Sequence, residues 1–293
     1  MKKTPLVIIT GYLGAGKTTL LHHILKDSKK KIAIIMNEFG EISIDSKIIK
    51  GKNVNMTELM NGCVCCSLTG EFEDAIKEII NKVKPELIIV ETTGIAEPDA
   101  LIVDIEKNLK FISLDSVIAI ADADGLVKFP QIGRTTKIQI EMADIILINK
   151  IDLVNDRQLK ELESKLKTIN KSAVVIRVQN CGINLNLLFG IHEKHWIKLD
   201  KNHGHSEIES FVFDKNIIFD RKKFEDIITT LPKEIYRSKG FVNLKDGTYL
   251  LNYVASRFVI EKVDKEKTQL VFIGESIKKY QREIEKELEK SRL

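Results

Sequence analysis

Three of the four cysteines, Cys63, Cys65 and Cys66, fall together in the run ELMNGCVCC. Thiolates are soft ligands that favour Zn2+, Co2+ and Cu+ over Mg2+. Three so close in sequence can take three corners of a tetrahedron if the backbone bends, and Gly62 allows the bend. A fourth position left to water or a weaker ligand makes a metal exchangeable, which a carrier needs. A closed structural zinc site more often uses two separated C-x-x-C pairs. The competing readings are buried free thiols or a redox couple, although adjacent Cys65 and Cys66 are poorly placed to bridge each other. In a reducing compartment such a cluster points to metal or redox chemistry before structural disulfides.

A second set of residues suits phosphate. GYLGAGKT at 11–18 fits G-x-x-x-x-G-K-[ST], preceded by an apolar run and followed by a helical pattern. In such a turn the backbone N–H groups of Gly11, Gly14, Ala15 and Gly16 point inward at phosphate oxygens. The N-terminus of the helix expected at 18–27, where Lys17, Thr18 and Thr19 lie, adds favourable dipole charge. Lys17 reaches the β- and γ-phosphates, and the Thr18 hydroxyl serves Mg2+. Glu91 closes the apolar run ELIIVE, where an acid holds Mg2+ through water, although Asp is the commoner acid there. Gly94, three residues on, offers its N–H to a γ-phosphate. Asn149, Lys150 and Asp152 form N-K-x-D after the apolar run DIILI. A carboxylate at Asp152 can accept two hydrogen bonds from guanine, a donor pair that adenine lacks, so GTP is the expected nucleotide. Asn149 would tie its loop to the phosphate loop, and the Lys150 stem would cover the base. Residues 178–182 are the expected last base-contacting loop.

The cysteines lie between these phosphate motifs, where nucleotide hydrolases keep the segment that senses the γ-phosphate. NEFGEISID at 37–45 shares that region. Glu38 and Glu41 are candidates for metal contact or for orienting the attacking water, and Glu41 suits a solvated acidic loop equally well. If the thiolates and Glu38 move when the γ-phosphate is lost, hydrolysis can change metal affinity.

The elements that must position these groups follow from periodicity. Apolar runs at 5–10, 31–36, 86–91, 116–121, 145–149 and 173–178 read as buried strands, with one more near 54–59. Helical patterns lie at 18–27, 67–84, 98–109, 135–143, 156–168 and 184–189. The alternation predicts an α/β fold, a P-loop NTPase domain with a mostly parallel sheet covered by helices on both faces. This domain is expected over 1–190. A polar segment at 191–206 holds His192, His195, His203 and His205 and the only Trp, and reads as a linker. His203 and His205 could hold metal transiently, but a solvated linker is the favoured reading. Strands at 208–213, near 235–243, 248–261 and 268–273, with helices at 220–231 and from Ser276, predict a smaller α+β domain over 207–293.

Composition narrows the classes. Forty-six basic and 42 acidic residues leave a net charge of +4 over 293 residues, a balance that favours neither nucleic acid nor a membrane surface. No stretch of about 18 apolar residues suggests a membrane span. The expected location is the cytoplasm.

Taken together, GYLGAGKTTL, NEFGE, ELMNGCVCC, ETTGIAEP and NKID, in this order, resemble the CobW-type metallochaperone GTPases. YRSKGFV and LVFIGESI resemble that family's C-terminal signatures, so the likeness covers nearly the whole chain. It implies a slow, Mg2+-dependent GTP hydrolysis assigned to Lys17, Thr18 and Glu91. It also implies Zn2+ or Co2+ bound at Cys63, Cys65 and Cys66, and delivery to a client metalloprotein. Many relatives carry a longer His-rich loop than this chain. The alternatives are a zinc sensor or buffer with a merely regulatory nucleotide site, a nickel-delivery GTPase, or a translation or signalling GTPase. Intact Lys17, Thr18 and Glu91 argue against the first, and C-x-C-C argues against the other two.

Overall fold

The computed structural model describes residues 3–28, 30–36, 54–58, 69–189, 208–263 and 267–293. The chain divides into two compact units, Met1–Gly182 and Ile183–Leu293.

In the first unit, seven strands form one parallel sheet. They are β1 (Thr4–Gly11), β2 (Ile32–Met36), β3 (Val54–Glu58), β4 (Leu87–Glu91), β5 (Ile112–Asp122), β6 (Ile145–Asn149) and β7 (Val174–Arg177). Their order is β3-β2-β4-β1-β5-β6-β7. Leu6, Val7, Ile8 and Ile9 of β1 are all fully buried, as the central strand of a sheet covered on both faces requires. Each such side chain contributes roughly 1.5–3 kcal/mol on burial. Leu6 and Ile8 pack against α2 (Thr69–Val83) and α3 (Asp99–Asn108) through Phe72, Ile76, Leu101 and Ile105. Farther along the sheet, Ile146 and Ile148 meet α5 (Arg134–Glu141) and α6 (Asp156–Ile169) through Ile140, Leu159 and Leu162. Helix α1 (Lys17–Asp27) buries Leu20, Leu21 and Ile24, its apolar stripe. Asn155 and Gln158 form a reciprocal cap that starts α6 where the sequence turns from N-K-x-D into helix.

Strand β5 is longer than the apolar pattern suggests. Its register against β1 jumps from Leu6↔Leu114 to Val7↔Ser116, so Asp115 is the extra residue of a bulge. The polar pair Asp115 and Ser116, both buried, breaks the apolar run and hides the first half of the strand. A short helix, α4 (Ala123–Lys128), follows directly and has no apolar stripe to announce it.

The second unit begins with α7 (Leu185–Phe189). It then carries β8 (Ile208–Asp214), β9 (Ile218–Phe219), α8 (Arg221–Thr229), β10 (Ile235–Leu244), β11 (Gly247–Val254), β12 (Arg257–Val263), β13 (Gln269–Glu275) and α9 (Lys278–Lys290). Strands β12-β11-β10-β13-β8 pair antiparallel in that order, and β9 adds parallel to β10. Phe211, Phe213, Val242, Leu251 and Phe272 on one sheet face pack with Phe224 and Ile228 of α8 and Ile284 and Leu288 of α9. The expected single strand at 248–261 is a hairpin of β11 and β12. Its turn residues Ala255 and Ser256 are both left-handed, with φ of 48° and 70°. A two-residue turn of this kind normally announces itself by Asn-Gly or Asp-Gly. Here the ladder on both sides, closing at Val254↔Arg257, holds two residues that carry no turn signal.

Among the described residues no helix is long and apolar enough to cross a membrane.

Candidate functional site

The predicted phosphate and base residues converge on the carboxyl edge of the parallel sheet. Gly11 ends β1, Glu91 ends β4 and Asn149 ends β6. This edge is where open α/β sheets hold ligands, because loops there face the helix N-termini that follow each strand. Residues 11–16 turn back on themselves, closed by a bond from Ala15 N to Tyr12 O at 3.1 Å, and pass into α1 at Gly16. Gly16 has φ of 117°, and a Cβ there would lie 2.6 Å from Asn149 Nδ2 and 2.8 Å from Cys181 Sγ. The glycine is therefore fixed by both backbone angle and space. Lys17 is 8% exposed and donates through Nζ to Gly11 O at 2.9 Å and toward Tyr12 O at 3.4 Å. Its ammonium thus already lies inside the turn. Thr18 and Thr19 are half-buried in the first turn of α1.

The N-K-x-D segment is joined to this turn by a clamp. Asn149, 3% exposed, donates to Ala15 O at 2.9 Å and accepts from Cys181 N at 2.9 Å. Cys181 Sγ in turn donates to Gly16 O at 3.3 Å. One asparagine therefore holds the phosphate turn and the loop after β7 in a single frame, as its residue type suggested. Lys150 has φ of 62°, and its Nζ pairs with Asp122 Oδ2 at 2.7 Å. The other Asp122 oxygen caps α4 by accepting from Gly125 N at 3.1 Å. Asp152 stands exposed in a 3₁₀ turn, Ile151–Leu153.

Glu91 is 8% exposed. The next residue, Thr92, is tied to β1 by its N–H to Ile9 O at 3.0 Å and by its hydroxyl to Thr10 Oγ1 at 2.9 Å. Gly94 sits against the phosphate turn, where a Cβ would be 2.6 Å from Leu13 N. The Glu91 carboxylate and the Thr18 hydroxyl are both oxygen donors, the ligand type that suits Mg2+.

Cys63, Cys65, Cys66, Glu38, Glu41 and the four linker histidines lie outside the described residues. The strands that lead to the first two motifs are described. Met36, the last residue of β2, is paired with Glu58 at the end of β3 and with Glu91 at the end of β4. The strands that precede NEFGE and ELMNGCVCC therefore both end at the edge that carries Glu91, as neighbours in the sheet.

Three residues of this site escaped the reading of the sequence. Asp122 lies one residue past the strand expected at 116–121, Gln139 lies within the helix expected at 135–143, and Cys181 lies in the loop expected at 178–182 without being singled out there. Only Asp122 had a local signal, an acid at a strand's carboxyl end. Cys181 is fully buried, and desolvation pushes its thiol up from 9.0 to about 12. It therefore stays a neutral thiol rather than a metal-binding thiolate. Peptide mapping after iodoacetamide treatment at pH 8 should find Cys181 unmodified in the native chain and labelled after unfolding. Because the folded thiol titrates higher than the unfolded one, its contribution to stability is intact below about pH 9. That contribution is lost progressively between about pH 9 and 12, as the unfolded chain alone ionises. Labelling of native Cys181 would refute its buried placement.

The sequence matches the CobW/HypB/UreG nucleotide-binding domain over residues 5–177 and the cobalamin synthesis protein cobW C-terminal domain over residues 208–292. A zinc chaperone of Escherichia coli, YjiA, is 36% identical over 198 residues, which is 64% of this chain and 62% of that relative. The chain thus matches less than two thirds of that relative's length. A zinc chaperone CobW of Sinorhizobium is 27% identical over 331 aligned positions, covering 93% of each chain. The crystal structure of Zn(II)-bound YjiA GTPase from E. coli superposes with a TM-score of 0.52 at 25% identity, covering 100% of both chains.

Proposed function

The chain belongs to the CobW family, with both its nucleotide-binding and its C-terminal domain, and from this we propose that it is a GTP-hydrolysing metallochaperone carrying zinc. The observation that carries the reading is the shared sheet edge. Phosphate, base and γ-phosphate loops meet there, and the strands leading to NEFGE and ELMNGCVCC end beside Glu91. Zinc is favoured over cobalt because the relatives named above are zinc chaperones.

In this reading the phosphate turn wraps the β- and γ-phosphates with its N–H groups, and Lys17 shifts from the Gly11 and Tyr12 carbonyls onto phosphate oxygens. Asn149 keeps the turn and the base loop in register, Lys150 lies along the guanine face with its ammonium held by Asp122, and Asp152 accepts from guanine. Thr18 and Glu91 would hold Mg2+, which supplies neutralisation of the charge that develops on the transferring phosphoryl group. Glu38 orients the attacking water, and Gly94 N–H reports whether a γ-phosphate is present. Cys63, Cys65 and Cys66 bind the zinc cargo, and loss of the γ-phosphate changes their geometry so that zinc passes to a client metalloprotein. The linker His203 and His205 are secondary candidates for metal contact. This work belongs in the cytoplasm and needs neither nucleic acid nor a membrane.

The test is a competition titration of zinc against a chromophoric chelator, in Mg2+ with GDP and again with a non-hydrolysable GTP analogue. A marked difference in zinc affinity between the two nucleotides is expected. Equal affinities would mean that nucleotide does not gate the metal, and the sensor or buffer reading would replace this one.

Base choice has its own check. Asp152→Asn exchanges a double acceptor for a group that presents one acceptor and one donor, and discrimination for GTP over ATP should fall by about 10–100-fold. Competition binding with both nucleotides measures it, and unchanged discrimination would remove Asp152 from the base site.

A further inference from the structure

We propose that Gln139 is a positioning residue for the γ-phosphate-sensing loop, an inference that rests on the nucleotide reading above. Residues 92–97 are held from two sides. The phosphate turn and β1 hold one side through Thr92 and the close approach of Gly94 to Leu13. The other side is held by Gln139 of α5, which is 1% exposed. Its Nε2 donates to Gly94 O at 3.2 Å and to Ala96 O at 3.0 Å. A bond from Ala96 N to Thr93 O at 3.1 Å closes the turn between those two carbonyls.

Both donated bonds come from one amide nitrogen, so the side-chain orientation is fixed. Flipping the amide would set its oxygen against two carbonyl oxygens. The arrangement has a cost, because Gln139 Oε1 is buried with no hydrogen-bond partner among the described residues. An unpaired buried acceptor is unfavourable, so an apolar side chain would serve a purely structural position better. What glutamine supplies is direction. Gly94 lacks a Cβ, and its peptide turns freely unless something outside the loop fixes it. Tethering the Gly94 and Ala96 carbonyls holds the turn that the Ala96 N to Thr93 O bond closes, and that bond sets the Thr93–Gly94 peptide, which carries the Gly94 N–H.

A tether of this kind affects only ligands that reach the loop. GDP ends at the β-phosphate, whereas a GTP analogue presents the γ-phosphate to Gly94. A ligand shifts or senses an arrangement only through its differential contacts with it.

The experiment compares wild type with Gln139→Met, which conserves volume and removes both donated bonds, in the full chain with Mg2+. Affinities for GDP and for a non-hydrolysable GTP analogue are measured by fluorescence titration, and hydrolysis by single-turnover phosphate release. The expected result is an analogue affinity lowered about tenfold, GDP affinity held within about twofold, and hydrolysis slowed about tenfold or more. Gln139→Leu, which also removes both donated bonds and buries no charge, should show the same split if the methionine variant fails to fold. Equal losses for GDP and analogue, or no loss for either, would overturn the proposal. A wild-type chain that hydrolyses GTP yet shows equal losses in the variants overturns this inference alone. A wild-type chain that binds neither nucleotide overturns the nucleotide reading as well.

Discussion

Lys17→Ala should abolish measurable GTP hydrolysis while leaving zinc bound. The ammonium lies within the phosphate turn, 2.9 Å from Gly11 O, so it is placed before nucleotide arrives and little reorganisation is needed to move it onto phosphate. Charge that builds on the transferring phosphoryl group meets this cation in a site shielded from water, where such interactions are strongest. Loss of one preorganised stabilising group of this kind typically slows the chemical step by about 10²–10³-fold. Alanine also removes the donor that braces the Gly11 and Tyr12 carbonyls, so the turn itself should loosen and nucleotide affinity should fall. Single-turnover phosphate release and a parallel zinc titration separate the two functions. Hydrolysis within about threefold of wild type would show that Lys17 is not at the γ-phosphate. A parallel loss of zinc affinity would show instead that the variant had failed to fold.

Cys65→Ser should have the reverse signature. A serine hydroxyl is a hard, protonated oxygen at neutral pH and replaces a thiolate poorly at zinc. A full four-ligand thiolate and imidazole site is worth roughly 10–16 kcal/mol, so one ligand carries about 2.5–4 kcal/mol. That corresponds to a zinc affinity lowered by about two to three decades. Guanine nucleotide binding should stay within about twofold, because the phosphate and base residues belong to a frame that Ala15, Gly16, Asn149 and Cys181 bond together among themselves. Competition with a chromophoric chelator measures the first quantity and fluorescent GDP the second. Unchanged zinc affinity would remove Cys65 from the metal site. An equal loss after Cys181→Ser would conflict with the buried, neutral thiol described above.

Much of the fold was legible because it is periodic. Runs such as PLVIIT and ELIIVE must be buried on both faces, and their alternation with amphipathic helices leaves a parallel sheet as the economical packing. Where the sequence misled, a local pattern was overruled by long-range pairing. Asp115 interrupts an apolar run yet lies within a strand, as the extra residue of a bulge against β1. Ala255 and Ser256 carry no turn signal yet form the turn of a hairpin, because eight paired positions of β10 on one side and the β12 ladder on the other fix where the chain reverses.

The sequence by itself determined the chemistry that is possible. A Gly-rich turn before a helix binds phosphate, N-K-x-D after a buried strand suits guanine, and three close cysteines suit a soft metal. Each is local, because a few neighbouring residues carry both the types and the spacing. The sequence also determined which strand ends should carry them. Tertiary structure decided most of the groups that hold those motifs in place. Asp122 and Lys150 are 28 residues apart and Gln139 and Gly94 are 45 apart, and only the link from Asn149 to Ala15, 134 residues away, was expected from its residue type. Contacts between residues so distant along the chain leave no periodic trace in it. They exist only once the parallel strands have brought their carboxyl ends to one edge, where hydrogen-bond geometry rather than spacing determines which side chains meet.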